Sequence, residues 1–305
     1  MPEYACPSCR GALVGAAPGW RCARENLRFD IEAGIPDFIL PDRREAIETF
    51  LTAYRKVRTA EGWGSTQARY YRDLPYTDHS GKHTGIWRIR ARTFGCFLDR
   101  MQRSGPIAGT RILDIGAGNC WLTVQLAARG AEVVPVDINL DSRDGLGALH
   151  KFPAADRERI VPVRADFDAL PFPDDLFDVV IFNASLHYSP DVPGTVRRAM
   201  RVLKTEGSLY VLDSPLYNDV ESGAQMIRER DEEFQRRYHV ATGSAFAGSV
   251  LNAGLFRSLA PSGSLEFIAP RYGLLWSLRP FAAKLLRRRE PASFGIIVVA
   301  KGKRA

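Results

Sequence analysis

The 305-residue sequence predicts an α/β protein built on a doubly wound, mostly parallel sheet, and three observations carry that prediction. From residue 110 onward, short apolar runs alternate with helical patterns at the spacing of βαβ units. A Gly-x-Gly turn, Gly116-Ala117-Gly118, stands where the first run meets the first helix. The first 40 residues differ in composition and hold three of the five cysteines, so a small segment precedes the sheet. The length agrees, since roughly 100–200 residues per domain leaves room for one large domain and an appendage.

Taken in order, residues 1–42 carry Cys6-Pro7-Ser8-Cys9, then Cys22, and close on Gly34-Ile35-Pro36-Asp37-Phe38. No long helical period fits there, and short strands and turns are expected. Residues 43–105 read as two helices, 43–60 and 84–103, around an aromatic loop with Trp63, Tyr70, Tyr71, Tyr76, His79 and His83. In the remainder, 106–305, strands are expected at 111–115, 132–138, 160–164, 177–182, 208–212, 265–269 and 294–300. Helices are expected at 121–129, 141–150, 192–203 and 221–240.

Lys+Arg minus Asp+Glu is 42 − 35, giving +7, and 35 of the cations are arginine. Such a balance suits nucleic acid or an anionic membrane. The arginines are scattered, which favours a generally basic surface; the one dense run is Arg287-Arg288-Arg289. Hydrophobic residues at 45% and charged residues at 25% exclude collagen-like, coiled-coil and wholly disordered classes. The odd cysteine count argues against a secreted disulfide framework, and no apolar run reaches the roughly 20 residues of a membrane span. Pro2, Glu3 and Cys6 stand where a leader would need basic and apolar residues, so a soluble cytoplasmic protein is expected.

The chemistry starts at Leu113-Asp114-Ile115-Gly116-Ala117-Gly118-Asn119-Cys120. Glycines at 116 and 118 allow a tight turn and close approach of backbone to a ligand. Asp137 follows Asp114 by 23 residues, near the spacing of a ribose-binding acid. The third glycine of a dinucleotide site is absent. Asp114, beside the loop, repels a pyrophosphate but suits a cationic amino-acid ligand. That favours S-adenosylmethionine, which combines an ammonium, a sulfonium and an adenosine.

These residues resemble motif I of the class I S-adenosylmethionine-dependent methyltransferases, of the small-molecule "methyltransferase type 11" kind. Four more stretches agree in order. They are Val134–Asp137, the run Arg164-Ala165-Asp166-Phe167-Asp168-Ala169-Leu170-Pro171-Phe172, Phe177-Asp178-Val179-Val180, and Arg201-Val202-Leu203-Lys204-Thr205-Glu206-Gly207. The resemblance covers about 110–215. It implies a Rossmann-like seven-stranded sheet with a small N-terminal ribbon and a helical lid. It also implies a cofactor site of Asp114, Gly116, Gly118, Asp137, Ile138, Asp166, Phe167 and Asn183. Asp137 holds the ribose in that reading, Asp166 the adenine amine, and Phe167 flanks the ring. Cys120, in place of the third glycine, is expected to narrow the pocket.

Methyl transfer from a sulfonium is an in-line displacement, and a base is needed only where the nucleophile must lose a proton. His187, four residues past Asn183, is the candidate base, with Tyr188 a weaker one; His79 and His83 are further candidates to reach the pocket. The acceptor is read as a small molecule, hydrophobic or lipid-linked, with methylation on O, N or C. An rRNA or tRNA base methyltransferase is the first alternative, less favoured because the Asn/Asp-Pro-Pro signature is absent. A non-catalytic module that binds S-adenosylmethionine or a protein partner is the second.

Cys6-x2-Cys9 is a zinc knuckle by spacing. With Cys22 and the closing Gly-Ile-Pro-Asp-Phe, the segment resembles the small zinc ribbons found ahead of some methyltransferases. Glu25 or Asn26 stands where those have a fourth Cys or His, so a structural zinc on Cys6, Cys9, Cys22 and Glu25 competes with a metal-free ribbon. Residues 271–290 are apolar and basic together, broken by Pro280. A helix packed on the sheet is the plainer expectation there, and peripheral contact with an anionic membrane or binding of a hydrophobic substrate tail the sharper one.

Overall fold

The computed structural model describes residues 3–240, 249–259, 264–286 and 288–302. The N-terminal segment forms a three-stranded antiparallel sheet of β1 (Val14–Ala16), β2 (Gly19–Cys22) and β3 (Leu27–Phe29), and a two-stranded ribbon of β4 (Ile31–Glu32) and β5 (Ile35–Pro36). α1 (Arg44–Glu61) follows. It stops at Gly62, whose φ of +80° gives the left-handed cap that glycine adopts without strain. α2 (Ala68–Arg72) is a short helix within the aromatic loop, and α3 is Thr84–Ser104.

The alternating region supplies β6 (Arg111–Ile115), α4 (Trp121–Ala127), β7 (Glu132–Asp137), β8 (Val163–Arg164), β9 (Phe177–Asn183), α5 (Val192–Val202) and β10 (Leu203–Leu212). Then come α6 (Val220–Tyr238), α7 (Ala253–Leu259), β11 (Leu265–Ile268), α8 (Leu274–Ser277), α9 (Arg279–Leu285) and β12 (Ile296–Ala300). The sheet has seven strands in the order β11-β12-β10-β9-β6-β7-β8. β8, β7, β6, β9 and β10 are parallel, and β12 inserts antiparallel between β10 and β11. The chain winds outward from β6 through β7 to β8, then crosses back to β9. That reversal leaves a crevice at the carboxyl ends of β6 and β9, where doubly wound sheets bind ligands.

Strand alternation explains the two buried layers. Ile112, Val133, Val179, Ile181, Tyr210 and Val298 face α3 and α4, where Trp87, Phe94, Phe97 and Trp121 fill the space. Leu113, Ile115, Val134, Val180, Phe182 and Val211 face α5, α7 and the N-terminal segment, including Phe29 and Phe38. Each side buries a full row, which is why the parallel strands read as continuous apolar runs.

The N-terminal segment is fastened to the edge strand β8. Asp37 bridges Arg164, and the Phe38 amide donates to the Arg164 carbonyl at 2.8 Å. The Arg164 guanidinium, 5% exposed, reaches Glu32 at 2.7 Å, Asp37 at 3.3 Å and Glu48 of α1 at 2.6 Å, and donates to the Ile138 carbonyl at 3.0 Å.

Three expectations need correction. No α-helix forms at 141–150. The Asn139 and Asp141 side chains accept backbone N–H groups of Asp141, Arg143 and Asp144, and this local bonding outcompetes a helix, leaving a 3-10 turn at Leu146–Lys151. The strand at 160–164 shrinks to Val163–Arg164, with Ile160 making a lone bridge to Val133. Residues 271–290 do not pack as a helix on the sheet. They form two short helices, α8 and α9, whose large apolar side chains are exposed. Arg287 lies outside the described residues. Among the described residues, no helix is long and apolar enough to cross a membrane.

Candidate active site

A cavity of about 290 Å³ opens at the crevice between β6 and β9, roofed by α1. Gly116 (φ +71°) turns the chain out of β6, and a side chain there would collide with Ser185, which itself donates to the Ile115 carbonyl at 2.6 Å. Gly118 (φ +53°) meets nothing within 4 Å of where a Cβ would stand, so the loop presents bare backbone to the cavity. Cys120 also takes a left-handed φ of +62°, the conformation a third glycine would supply. It is fully buried and absent from the cavity wall, so it does not narrow the pocket.

Asp137 ends β7 at the cavity. Its carboxylate accepts the Gly118 amide at 2.8 Å and the Asn139 amide at 2.8 Å, fixing the loop and the acid together. Burial raises its pKa to about 6 against those two amides. Ile138, Asp166 and Phe167 line the same cavity, as expected. Asp166 is already engaged, because Arg43 contacts its Oδ2 through Nη2 at 2.7 Å and Nε at 3.1 Å, and its Oδ1 accepts the Asp168 amide at 3.0 Å.

Two expected cofactor residues stand elsewhere. Asp114 is fully buried behind the loop, accepting the Thr123 hydroxyl at 2.6 Å, and its other oxygen has no partner among the described residues. Burial raises it to about 7. Asn183 ends β9 outside the cavity wall, with its side-chain oxygen unpartnered among the described residues.

The candidate base is also walled off. His187 does not line the cavity; Tyr188 does, its ring 4.3 Å from the imidazole. Burial, with the Arg230 and Arg90 charges adding to it, lowers His187 to about 3, and its Nδ1 has no partner among the described residues. Asp213 and Ser214 follow β10 beside the end of β9, and each buries an oxygen with no partner among the described residues. The Arg90 charge acts on both Asp213 and His187. His79 and His83 do not line the cavity either: His79 pairs with Asp73, and His83 stacks on Trp63 at 3.6 Å.

A helical lid is expected over 43–105, but the sequence singles out no residue of its first helix for the site. Ile47, Phe50, Leu51 and Tyr54 of α1 face the cavity at helical spacing, a pattern indistinguishable from a core face. Arg58 fastens this helix. It pairs with Asp144 (Nη2 to Oδ1, 3.1 Å) and lies 3.9 Å over the Trp63 ring.

At the N terminus, the thiols of Cys6, Cys9 and Cys22 lie within 4.8 Å of one another. The Glu25 carboxylate is not in that group. Its backbone N–H instead lowers the Cys22 pKa, while burial raises Cys6 to about 11. Three soft ligands from a knuckle and a facing strand fit zinc with one position left for another ligand.

Comparison with known proteins agrees with this geometry. Residues 113–211 match the family described as a methyltransferase domain. The chain is 33% identical over 156 residues to the 27-O-demethylrifamycin SV methyltransferase of Amycolatopsis mediterranei, covering 48% of this chain and 57% of that protein. It is 35% identical over 159 residues to a ubiquinone/menaquinone biosynthesis C-methyltransferase of Azotobacter vinelandii, covering 51% of this chain and 58% of that protein. The chain thus spans little more than half the length of these curated relatives. A methyltransferase structure from Galdieria sulphuraria superposes with a TM-score of 0.51 at 17% identity, covering 70% of this chain and 86% of that one. Residues 113–211 thus match a methyltransferase domain family in sequence, and the fold around them is the one shared with the Galdieria structure.

Proposed function

We propose that this chain transfers a methyl group from S-adenosylmethionine to a small metabolite. The observation that carries the reading is the cavity itself. Bare glycine backbone and the Asp137 carboxylate face one space with three further acids, each paired with an arginine (Asp144 with Arg58, Asp166 with Arg43, Asp168 with Arg198), and Arg43 is the lone lysine or arginine on the wall among the described residues. That wall suits a cationic nucleoside and disfavours a pyrophosphate. Asp137 would hold the ribose, Ile138 and Phe167 the adenine, and the Gly116–Gly118 backbone the amino-acid end. The bound cofactor would supply an activated methyl on a sulfonium.

The acceptor would lie towards His187 and Asp213, whose ring nitrogen and carboxylate oxygen have no hydrogen-bond partner among the described residues. His187, its pKa lowered to about 3 by burial, would stay neutral there and would accept a hydrogen bond rather than store a proton. The charges of Arg90 and Arg230 favour an acceptor that reaches its anionic form, so positioning and electrostatics replace a strong base. A hydrophobic or lipid-linked acceptor fits the aromatic wall of Phe50, Tyr54 and Tyr188. Five free cysteines support a reducing, cytoplasmic setting.

The test is calorimetry with S-adenosylhomocysteine, followed by turnover of labelled S-adenosylmethionine against quinol, phenol and carboxylate acceptors. Binding with formation of labelled product supports the enzyme. Binding without turnover on any acceptor supports a module that only holds the cofactor, and no binding sinks the proposal.

A further inference from the structure

We propose that residues 271–286, with Arg288, dock the protein on an anionic lipid bilayer. Six large apolar side chains stand in water on α8, α9 and their ends: Leu274 at 85% exposure, Leu275 at 86%, Leu278 at 55%, Phe281 at 73%, Leu285 at 84% and Leu286 at 60%. They are half of the large hydrophobics found exposed among the described residues, gathered into 13 positions. A soluble surface rarely concentrates apolar area in this way without a partner.

Charge identifies the partner. From 267 to 289 the sequence has no Asp or Glu and six cations, Arg271, Arg279, Lys284, Arg287, Arg288 and Arg289. Arg271, Lys284 and Arg288 are exposed. Arg289 is committed to Glu229 at 2.6 Å, and Arg279 stacks over Trp276 at 3.8 Å. Leucine and phenylalanine flanked by cations, on helices too short to span, match a segment lying in the headgroup region of an anionic leaflet. A second copy is a poor occupant, because a two-fold contact would bring the cations of both chains together with no acid in the segment to offset them.

The segment is held from behind. The Tyr272 hydroxyl bonds the Thr93 hydroxyl at 2.8 Å, Arg92 donates to the Arg271 carbonyl at 3.2 Å, and Trp276 packs on Phe294 with centroids 5.8 Å apart. The outward leucines are therefore presented by a fixed base. Thr93 also neighbours Asp213, so a docked molecule would hold the end of β10 close to the bilayer. The docking itself depends on no assignment of Asp213 or of the cofactor.

The test is co-sedimentation of the full chain with phosphatidylcholine vesicles, with and without phosphatidylglycerol. Binding is expected only with phosphatidylglycerol, and it should weaken as salt rises. Leu274→Ser/Leu275→Ser/Phe281→Ser should lower partitioning by about a hundredfold. Lys284→Ala/Arg288→Ala should lower it about fivefold per cation. Thermal melting of both variants should match the parent, since every altered side chain is exposed. A parent chain that ignores phosphatidylglycerol vesicles, or a triple variant that binds as well as the parent, overturns the proposal. So does a parent dimer that the triple variant turns into a monomer, which would assign the face to a second copy.

Discussion

Arg43 and Asp166, 123 positions apart, are joined across the mouth of the cavity by two contacts to one carboxylate oxygen, at 2.7 and 3.1 Å. The acid that the family pattern gives to the adenine amine is thus also the latch of the roof. Asp166 is 7% exposed and Arg43 45%, so the pair is only partly shielded from water. Arg43→Ala should weaken S-adenosylhomocysteine affinity about five- to tenfold by freeing the roof and the acid together, with Arg43→Lys intermediate. Calorimetry that finds all three affinities equal would mean the latch has no part in binding.

Asp137 couples the glycine loop to the cavity through two backbone amides. Asp137→Ala removes both bonds and the proposed ribose acceptor. The loss should be about 10–100-fold in affinity, the range for a hydrogen bond to a charged group. An unchanged dissociation constant would remove the ribose assignment.

Asp114 carries a pH signature. Its pKa is raised from an ordinary 3.8 to about 7 by burial. Between those values the folded chain holds a proton that the unfolded chain has lost. Its contribution is fully present below 3.8 and is lost as pH rises through 7. Asp114→Asn should flatten that slope, gaining on the parent by on the order of 3 kcal/mol from pH 4 to pH 8. Urea midpoints of both proteins across that range check it; parallel curves would show that the carboxyl is not protonated in the fold.

His187 runs the other way. Its pKa falls from 6.5 to about 3, so stability is complete above 6.5 and drains as pH drops towards 3. The kcat profile should show no inflection near 6.5. His187→Ala should lower kcat about tenfold and leave S-adenosylhomocysteine affinity unchanged. A pH limb at 6.5 that vanishes in the variant would restore the titrating base.

We expect about one zinc per chain on the three clustered thiols, lost in Cys9→Ser and retained in Glu25→Ala, because the Glu25 carboxylate lies outside the cluster. Elemental analysis of the purified chain decides it; a zinc-free parent would make the ribbon metal-independent.

The sheet was legible because burial on both faces writes each parallel strand as an apolar run, as in Phe177–Asn183. Gly116, Gly118 and Asp137 were legible because backbone geometry restricts which residues fit those places. Arg43 was not, since nothing in sequence links position 43 to position 166. The 141–150 helix failed where Asn139 and Asp141 bonded the backbone locally. The direction of His187 was hidden because a 3-10 turn, Leu186–Tyr188, decides which of two neighbouring rings meets the cavity. The α1 residues carried the right period, but a period cannot tell a ligand from a core.

Arg164 draws carboxylates from both sides of the apparent join near residue 42: Glu32 and Asp37 before it, Glu48 after it. The same guanidinium holds the carbonyl of Ile138, a wall residue of the cavity. A chain trimmed to begin after residue 40 would leave this cation with Glu48 alone of its three carboxylates and would remove part of its cover. The opening segment is therefore not an interchangeable attachment. Shortening the protein to its recognisable portion would be felt first where the nucleoside is expected to rest.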